Sequence, residues 1–334
     1  MDPKEKCGCK GIRSCLICEK GENKNSTYKC TETDQYSYCP YCNLCWPEGA
    51  SDSDVVTPLY VSRVKLLPDF ISEEEESSLI DAIDLIPWMQ SQSGRKKQDF
   101  GPKINFKKKK AKIDNFKGFP CFSKSILERF KQFEELSDFF PVELCHLEYS
   151  PDRGSAIDPH IDDFWIWGER LVTINLASST TITLTPANME DCSCLKECKK
   201  IFADSKESKE NFFKKGNFIC EHKMLIDSYT ADQIAQNHCN NIENLEIPKE
   251  MCSMYRKNSD KTNVEVKVEL PPRSLLILAG CSRYNWFHAI KREDILSRRL
   301  AMTFRELAEN FMENEKAKIL GTKLLQLGET FYDP

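Results

Sequence analysis

The chain contains a series of short segments with the residue pattern of β-strands, and no regular succession of strand and helix joins them. They are PVELCHLEYS at 141–150, RLVTINLAS at 170–178, TTITLTP at 180–186, VEVKVELP at 264–271, SLLILAG at 274–280 and RRLAMTFREL at 298–307. Apolar residues at every second position are typical of strands that bury one face. Because no strand–helix–strand repeat is present, antiparallel strands in two stacked sheets are favoured. We predict an α+β fold with a double-stranded β-helix (jelly-roll) core.

Helices are predicted to flank this core, at residues 72–86, 123–136 and 313–331. At the first of them, Ser72 and Glu75 occupy the positions of a capping box. The long polar stretch at about 184–262 has no clear periodicity and is predicted to be an insertion. Its six cysteines are irregularly spaced, so we predict no site there: Cys192, Cys194, Cys198, Cys220, Cys239 and Cys252.

The first fifty residues differ from the rest because they are rich in cysteine and poor in aliphatic residues. They hold Cys7, Cys9, Cys15, Cys18, Cys30, Cys39, Cys42 and Cys45. Closely paired cysteines supply the tetrahedral thiolate sites of zinc, and a segment of this kind needs such a staple to fold. We predict a zinc-binding module at 1–50 with one or two ions, and a second domain at 55–334. A disordered, reduced tail is the alternative.

The composition bears on the cellular compartment. The start, MDPKEKC, is charged and no apolar segment follows it, so the 17 cysteines are expected to be reduced thiols. The longest apolar runs are the length of strands, which predicts no membrane span. The net charge of −5 gives no global sign of nucleic-acid binding, whereas KKKKAK at 107–112 resembles a weak nuclear-import patch. We predict a location in cytoplasm and nucleus.

One short stretch, DPHIDDFW at 158–165, suggests a metal site. His160 and Asp162 are two residues apart, so on a strand both side chains would lie on one face. Of the other histidines, two lie in the insertion and His146 lies within a strand, where a structural role is more common. His288 follows the core strand at 274–280 after a short turn. Two histidines and one carboxylate are diagnostic of non-haem Fe(II) oxygenases. An ion pair at His160 with an unrelated His288 is the alternative.

The last predicted strand carries two arginines that are predicted to face the interior. Arg299 and Arg305 share one face with Ala301 and Thr303, while the apolar residues between them face the other way. An arginine that faces a barrel interior is costly unless it meets an anion, and a guanidinium matches a carboxylate with two parallel hydrogen bonds. A dicarboxylate such as 2-oxoglutarate would partner both arginines. Salt bridges at the ends of the strand are the alternative.

Taken together, these residues resemble the AlkB family of Fe(II)/2-oxoglutarate dioxygenases, and most closely its homologue-four subgroup. The motifs that carry the resemblance are CGCKGIRSCLICE at 7–19, GRKKQDFGPKINF at 94–106, RGSAIDPHIDDFWIWGERLV at 153–172 and RRLAMTFREL at 298–307. The resemblance extends from the cysteine-rich start to the last strand, except for about 184–262. It implies that Fe(II) is held by His160, Asp162 and His288, and that molecular oxygen is the second substrate.

The resemblance also implies how 2-oxoglutarate is held. Arg299 would pair with its distal carboxylate, Arg305 would lie near its metal-chelating end, and Tyr149 would donate a hydrogen bond to it. Two positions depart from the family pattern, which often has asparagine where this chain has Leu147 and Ala301. Both changes remove polar contacts near the co-substrate, so the details of its binding are expected to differ.

The subgroup bears on the substrate. It is linked to demethylation of a monomethylated lysine of actin, with an effect on actomyosin, and to demethylation of N6-methyladenine in DNA. The basic stretch at 95–112, with nine basic residues and one acid, lies where the family has its substrate lid. Its lysines would meet phosphates, an acidic protein surface or only solvent. Phe164, Trp165 and Trp167 would stack on a flipped base, although aromatic residues beside a strand more often belong to the core.

Two other classes of function remain open on sequence alone. A metal hydrolase with zinc in the same triad would be active without 2-oxoglutarate and would give Arg299 and Arg305 no role. A non-catalytic interaction protein would use the cysteine-rich module to bind partners, which leaves an intact triad without a purpose. Formation of succinate from 2-oxoglutarate discriminates among these classes.

Overall fold

The computed structural model describes residues 7–10, 13–19, 33–49, 59–187, 264–313 and 315–334. Most of the predicted insertion lies outside the described residues, together with Cys30, His222, His238 and the six insertion cysteines. Among the described helices, none is long and apolar enough to cross a membrane.

The described residues form a mixed fold in which strands predominate. The strands are β1 (Asp34–Cys39), β2 (Leu44–Pro47), β3 (Val64–Leu67), β4 (Met89–Gln90), β5 (Lys96–Phe100), β6 (Lys103–Asn105), β7 (Lys110–Lys112), β8 (Phe119–Pro120), β9 (Pro141–Tyr149), β10 (Ile157–His160), β11 (Trp167–Leu176), β12 (Thr180–Pro186), β13 (Val264–Leu270), β14 (Leu275–Ala279), β15 (Trp286–Ile290), β16 (Arg299–Leu307) and β17 (Phe331–Tyr332). The helices are α1 (Leu16–Glu19), α2 (Glu73–Asp84), α3 (Lys124–Phe130), α4 (Gly280–Tyr284), α5 (Asn310–Glu313) and α6 (Glu315–Gly328).

Two large sheets form the centre of the fold. One has the strand order β3-β14-β11-β16-β9-β5-β4, and the other has the order β10-β15-β12-β13-β1-β2. Every pairing in them is antiparallel except that of β1 with β13. The prediction of an α+β fold with antiparallel sheets is confirmed. Its finer assignment to a double-stranded β-helix stays a prediction.

Two apolar clusters hold the sheets and helices together. One packs α2, α3 and α6 against the outer face of the seven-stranded sheet, and it includes Leu300, Met302 and Phe304 of β16. The other lies between the two sheets. The side chains that alternate with those three on β16 therefore face the space between the sheets, as the period of two predicts. This alternation carries Arg299 and Arg305 into the interior.

The helix at residues 73–84 begins where the sequence predicts. The Ser72 side chain accepts a hydrogen bond from the Glu75 amide at 3.2 Å, and the Glu75 carboxylate accepts one from the Ser72 amide at 2.9 Å. This reciprocal capping box satisfies two of the unpaired amides at the helix start.

The N-terminal segment joins the same sheet as the predicted metal ligands. Residues 34–37 pair in parallel with 264–267 of β13, and β2 pairs with β1 at the edge. The second half of the cysteine-rich segment therefore extends the six-stranded sheet. The domain boundary predicted at residue 50 stays a prediction.

Candidate functional site

The three predicted metal ligands converge at one end of the space between the sheets. Antiparallel pairing of β10 with β15 sets His160 directly opposite His288, with ring centroids 4.2 Å apart. Asp162 Oδ1 lies 3.3 Å from His160 Nε2. One ligand atom from each of the three residues lies within 4.8 Å of the other two. The three residues are therefore close enough to hold one metal ion, as the two-histidine, one-carboxylate set requires.

The placement of Asp162 differs from the expectation in one respect. The strand ends at His160, and Asp162 follows it in a loop rather than on the same strand face. Pro159 lacks an amide hydrogen, and the pairing with β15 is irregular between residues 157 and 160. Tertiary contacts, and not strand alternation, orient the carboxylate.

The pKa shifts of Asp162 and His288 fit metal binding. Burial opposes ionisation of Asp162, but Arg305 together with His160 and His288 outweighs it and holds the pKa of this carboxyl well below its usual range. Burial, and then His160, lower the pKa of His288 to about 3, so its imidazole is neutral at physiological pH. His160 Nδ1 lies 2.9 Å from the carbonyl oxygen of Asp158. Donation to that carbonyl would leave Nε2 free to coordinate a bound metal.

A second layer of charged residues orients Asp162. Arg305 Nε donates to Asp162 Oδ2 at 2.7 Å, and Arg305 Nη1 donates to Glu143 Oε2 at 2.6 Å. Arg283 is fully buried and donates to the backbone oxygen of Asp162 at 2.8 Å. Oδ2 is thus occupied, which leaves Oδ1 for a metal. Sequence reasoning missed Glu143 and Arg283. The position of Glu143 on the same face of β9 as Tyr149 was a signal for the first of them.

The predicted site for the distal carboxylate of a co-substrate is built around Arg299. This side chain is 2% exposed, and its Nε donates to Asn175 Oδ1 at 2.6 Å. Its guanidinium lies 4.8 Å from the ring centroid of Tyr149, which faces it across the sheet. Among the residues that the structure describes, none accepts a hydrogen bond from Arg299 Nη1. A buried guanidinium without a carboxylate partner fits a site for an anion.

Asn175 supplies a polar contact to Arg299 beside the two positions that depart from the family pattern. Leu147 and Ala301 are paired across β9 and β16, and both line the cavity as apolar residues. Asn175 lies on the next strand, opposite Ala301. Its amide nitrogen donates to the carbonyl oxygens of Ser178, Leu270 and Pro271 at 2.9 to 3.0 Å. These bonds fix the amide so that its oxygen points at Arg299.

The cavity joins both parts of the site. Its lining includes the three metal-ligand candidates, the anion-site residues and several aliphatic side chains: His160, Asp162, His288, Tyr149, Arg299, Arg305, Thr303, Ile182, Leu276 and Leu278. A dicarboxylate that spans from Arg299 toward the two histidines would therefore be enclosed by apolar walls. Enclosure of this kind strengthens the electrostatic contacts inside.

His146 has the structural role that its place in a strand predicts. Its Nδ1 lies 2.8 Å from Gln98 Oε1, and its ring packs between Phe100 and Phe122 on the helix-covered face of β9. Burial lowers its pKa to about 3. His146 therefore does not belong to the metal site.

The three aromatic residues that follow Asp162 differ in burial. Trp167 is buried beneath Arg305, and Trp165 packs on Phe311 in the helix-covered core. Phe164 is 70% exposed. Of the three proposed stacking residues, Phe164 alone presents most of its ring to solvent.

The predicted zinc ligands fall into separate groups. Four of them meet near the N-terminus, with one sulfur of each within 4.8 Å of the others: Cys7, Cys9, Cys15 and Cys18. Cys45 is buried in the core between the sheets, and Cys39 and Cys42 lie at the β1–β2 turn. Among the described residues, these three do not form a second group of that kind.

The comparisons with known proteins give relatives of nearly the full length. The chain is 38% identical over 98% of its length to "Alpha-ketoglutarate-dependent dioxygenase alkB homolog 4" of Mus musculus, of which it covers 95%. It is 36% identical to the Homo sapiens protein of the same name, over 97% of this chain and 94% of that one. It is 31% identical to "DNA N6-methyl adenine demethylase" of Caenorhabditis elegans, over 96% and 94%. No family model matches the chain.

Proposed function

The chain belongs to the AlkB family of alpha-ketoglutarate (2-oxoglutarate)-dependent dioxygenases, and from that membership we propose that it is an oxidative demethylase that removes N-methyl groups with Fe(II), 2-oxoglutarate and molecular oxygen. The observation that carries the proposal is that the triad lines the same cavity as a buried arginine, Arg299, which has no acidic partner among the described residues. A zinc hydrolase would use the triad but would leave Arg299 buried without an anion.

Each residue has a defined task in the proposed reaction. His160, Asp162 and His288 would hold Fe(II), and Arg305 would keep Asp162 ionised and oriented. When bound with 2-oxoglutarate and oxygen, iron supplies the oxidising power that hydroxylates an N-methyl carbon, after which the methyl group is lost as formaldehyde.

The co-substrate would be held at both of its ends. Arg299 would bind the distal carboxylate of 2-oxoglutarate, with Asn175 aligning its fork and Tyr149 donating a further hydrogen bond. Arg305 lies beside the metal ligands, which supports its proposed place near the metal-chelating end of 2-oxoglutarate.

For the substrate, we propose a monomethylated lysine of actin, so that the enzyme would regulate actomyosin. This choice rests on the resemblance of the sequence motifs to the homologue-four subgroup. Methylated DNA is the second candidate, and the 31% identity to a protein named as a DNA N6-methyl adenine demethylase supports it. Both share one chemistry, hydroxylation of an N-methyl group. A location in cytoplasm and nucleus would suit either substrate and is part of the proposal.

The test compares the two substrates in parallel. Iron-loaded protein is incubated with 2-oxoglutarate and either a monomethyl-lysine actin peptide or DNA that contains N6-methyladenine. Succinate, formaldehyde and loss of the methyl group are then measured. Equal amounts of succinate and of demethylated product are expected with the true substrate. Demethylation that proceeds without 2-oxoglutarate would contradict the proposed class of enzyme. Absence of succinate under all conditions would favour the non-catalytic alternative.

The basic hairpin gives a second way to separate the substrates. Strands β6 and β7 pair with each other, and the exposed Lys107–Lys110 lie at and beside their turn. Replacing these four lysines by glutamine is expected to weaken DNA binding strongly if DNA is the substrate. The dependence of log K on log salt should then flatten by up to about 0.9 per lost phosphate contact. With an actin peptide the loss should be smaller, because exposed ion pairs contribute about 0–1 kcal/mol each.

The matched control changes exposed lysines on α6, which lie outside the basic hairpin. Lys318→Gln with Lys323→Gln should leave both substrates unaffected. Slow turnover of 2-oxoglutarate without substrate should persist in the hairpin variant. Loss of that background turnover would show that the hairpin helps to form the iron site.

A further inference from the structure

The four-cysteine cluster at Cys7, Cys9, Cys15 and Cys18 plays no part in the proposed reaction. Cys15 is fully buried. The backbone of this segment lies in close contact with the rest of the fold. A Cβ atom at Gly8 would come within 2.4 Å of the carbonyl oxygen of Ser91. So close an approach of two backbones needs a strong local constraint.

The spacing of the sulfurs matches a single tetrahedral ion. Zinc–sulfur bonds of about 2.3 Å in a tetrahedron set neighbouring sulfurs about 3.8 Å apart. Cys15 Sγ and Cys18 Sγ are 3.7 Å apart, and all four sulfurs lie within 4.8 Å of one another. An iron–sulfur cluster with several irons spreads its cysteines over different metal atoms, so the sulfurs are too close together for one.

Backbone amides satisfy the cysteine sulfurs in the way that metal-bound thiolates require. The Cys15 amide donates to Cys18 Sγ at 3.1 Å. The amides of Ser93 and Gly94 hydrogen-bond with the Cys9 sulfur from a different part of the chain. Such contacts are the outer shell that orients thiolate ligands and disperses their charge.

We propose that Cys7, Cys9, Cys15 and Cys18 bind one zinc ion in a closed structural site, and that this site positions the loop at 91–95 and the strand that carries His160. Four protein thiolates fill the tetrahedral coordination of zinc, so the site has no open position for chemistry. The four other N-terminal cysteines are not needed for it.

A short series of hydrogen bonds connects the cluster to the strand that carries His160. Gly94, whose amide faces Cys9, accepts hydrogen bonds from Arg153 Nε at 2.7 Å and Ser155 Oγ at 2.6 Å. The Ala156 amide donates to the Ser93 oxygen at 3.0 Å. Strand β10 begins at the next residue and ends at His160.

A second contact connects helix α1, which carries Cys18, to the chain just after β15. Glu19 forms two hydrogen bonds with Arg292, at 2.8 and 2.9 Å, two residues after β15 ends. Gly154 has a positive φ of 60°, and a Cβ there would lie 2.6 Å from Leu16. The cluster is therefore in contact with the chain on both sides of the paired histidines.

The experiment measures zinc in the full-length chain with the iron site disabled. His160→Ala combined with Asp162→Asn removes metal from the iron site, and about one zinc per chain is expected to remain. Adding Cys15→Ser or Cys18→Ser should release that zinc, whereas the exposed Cys121→Ser should retain it. Cobalt exchanged into the site should show the intense visible absorption of a tetrahedral thiolate complex.

A measurement on the unaltered chain covers the case in which a cysteine variant fails to fold. Removing zinc with a chelator should make about four thiols newly reactive, one for each ligand. Unchanged zinc content in both serine variants, or iron instead of zinc in the thiolate site, would overturn the assignment.

The positioning role has its own readout. In Cys15→Ser, amide hydrogen exchange at residues 91–95 and 155–160 should accelerate at least about tenfold relative to Cys121→Ser. Helix α6, which is remote from the cluster, should exchange at an unchanged rate. Equal exchange at 91–95 and 155–160 in the two variants would overturn the proposed coupling, even if the zinc site itself is present.

Discussion

Replacing Asp162 by asparagine is expected to lower succinate formation from 2-oxoglutarate by at least about a hundredfold, or about 2.7 kcal/mol. The change preserves the shape of the side chain but removes the negative charge that binds the metal. It also leaves the buried Arg305 with Glu143 as its remaining ion-pair partner. His160→Ala and His288→Ala should have effects of the same order, because each removes one of three protein ligands. Iron affinity and succinate formation are measured for each variant.

The matched control is the neighbouring carboxylate. Asp163 is exposed, and its side chain does not line the cavity. Asp163→Asn should therefore keep both iron binding and turnover. If Asp162→Asn retains full activity, the three residues do not form the iron site, and the proposed enzyme class has no basis in this geometry.

The second large effect is expected at Arg299. Replacing it by lysine keeps the positive charge but loses the planar fork that donates two hydrogen bonds to one carboxylate. The 2-oxoglutarate concentration needed for half-maximal turnover should rise at least about tenfold, which corresponds to about 1.4 kcal/mol. The loss should be in co-substrate binding, because Arg299 does not contact the metal ligands. Titration of 2-oxoglutarate at saturating substrate measures it.

Arg298 offers a control of the same residue type at the adjacent position. Its side chain points to the other face of β16, where it forms ion pairs with Asp84 and Glu148. Arg298→Lys should leave the 2-oxoglutarate requirement unchanged. An increase in that requirement for Arg298→Lys, with none for Arg299→Lys, would show that the anion site had been assigned to the wrong arginine.

The two arginine sites differ in how their charge is compensated. Arg305 is neutralised by Asp162 and Glu143, so its positive charge is satisfied before any co-substrate arrives. Arg299 has an amide oxygen and an aromatic ring but no carboxylate among its described contacts. An incoming anion therefore gains more at Arg299, because a buried charge that lacks a partner is costly. This difference is the physical reason to place the distal carboxylate there.

The sequence by itself determined the features that depend on local periodicity and short motifs. Alternation along β16 predicted which residues face the interior, and it separated Arg299 and Arg305 from Leu300, Met302 and Phe304. Side chains on a strand alternate strictly between two faces, so this inference needs no tertiary information. The capping box at Ser72 was also predictable from sequence alone, because its hydrogen bonds join residues only three positions apart. The H-x-D motif with His288, together with the longer motifs, indicated the family.

Only the tertiary structure decided the contacts that make these residues into a site. Arg283 reaches the backbone of Asp162 across 121 residues of chain, and Asn175 reaches Arg299 across 124. No local pattern could show that Asn175 accepts a hydrogen bond from Arg299. Tertiary contacts likewise decide which of the described N-terminal cysteines meet, since Cys7, Cys9, Cys15 and Cys18 cluster while Cys45 is buried between the sheets. Pairings between distant strands set these distances, and a linear pattern records only separations along the chain.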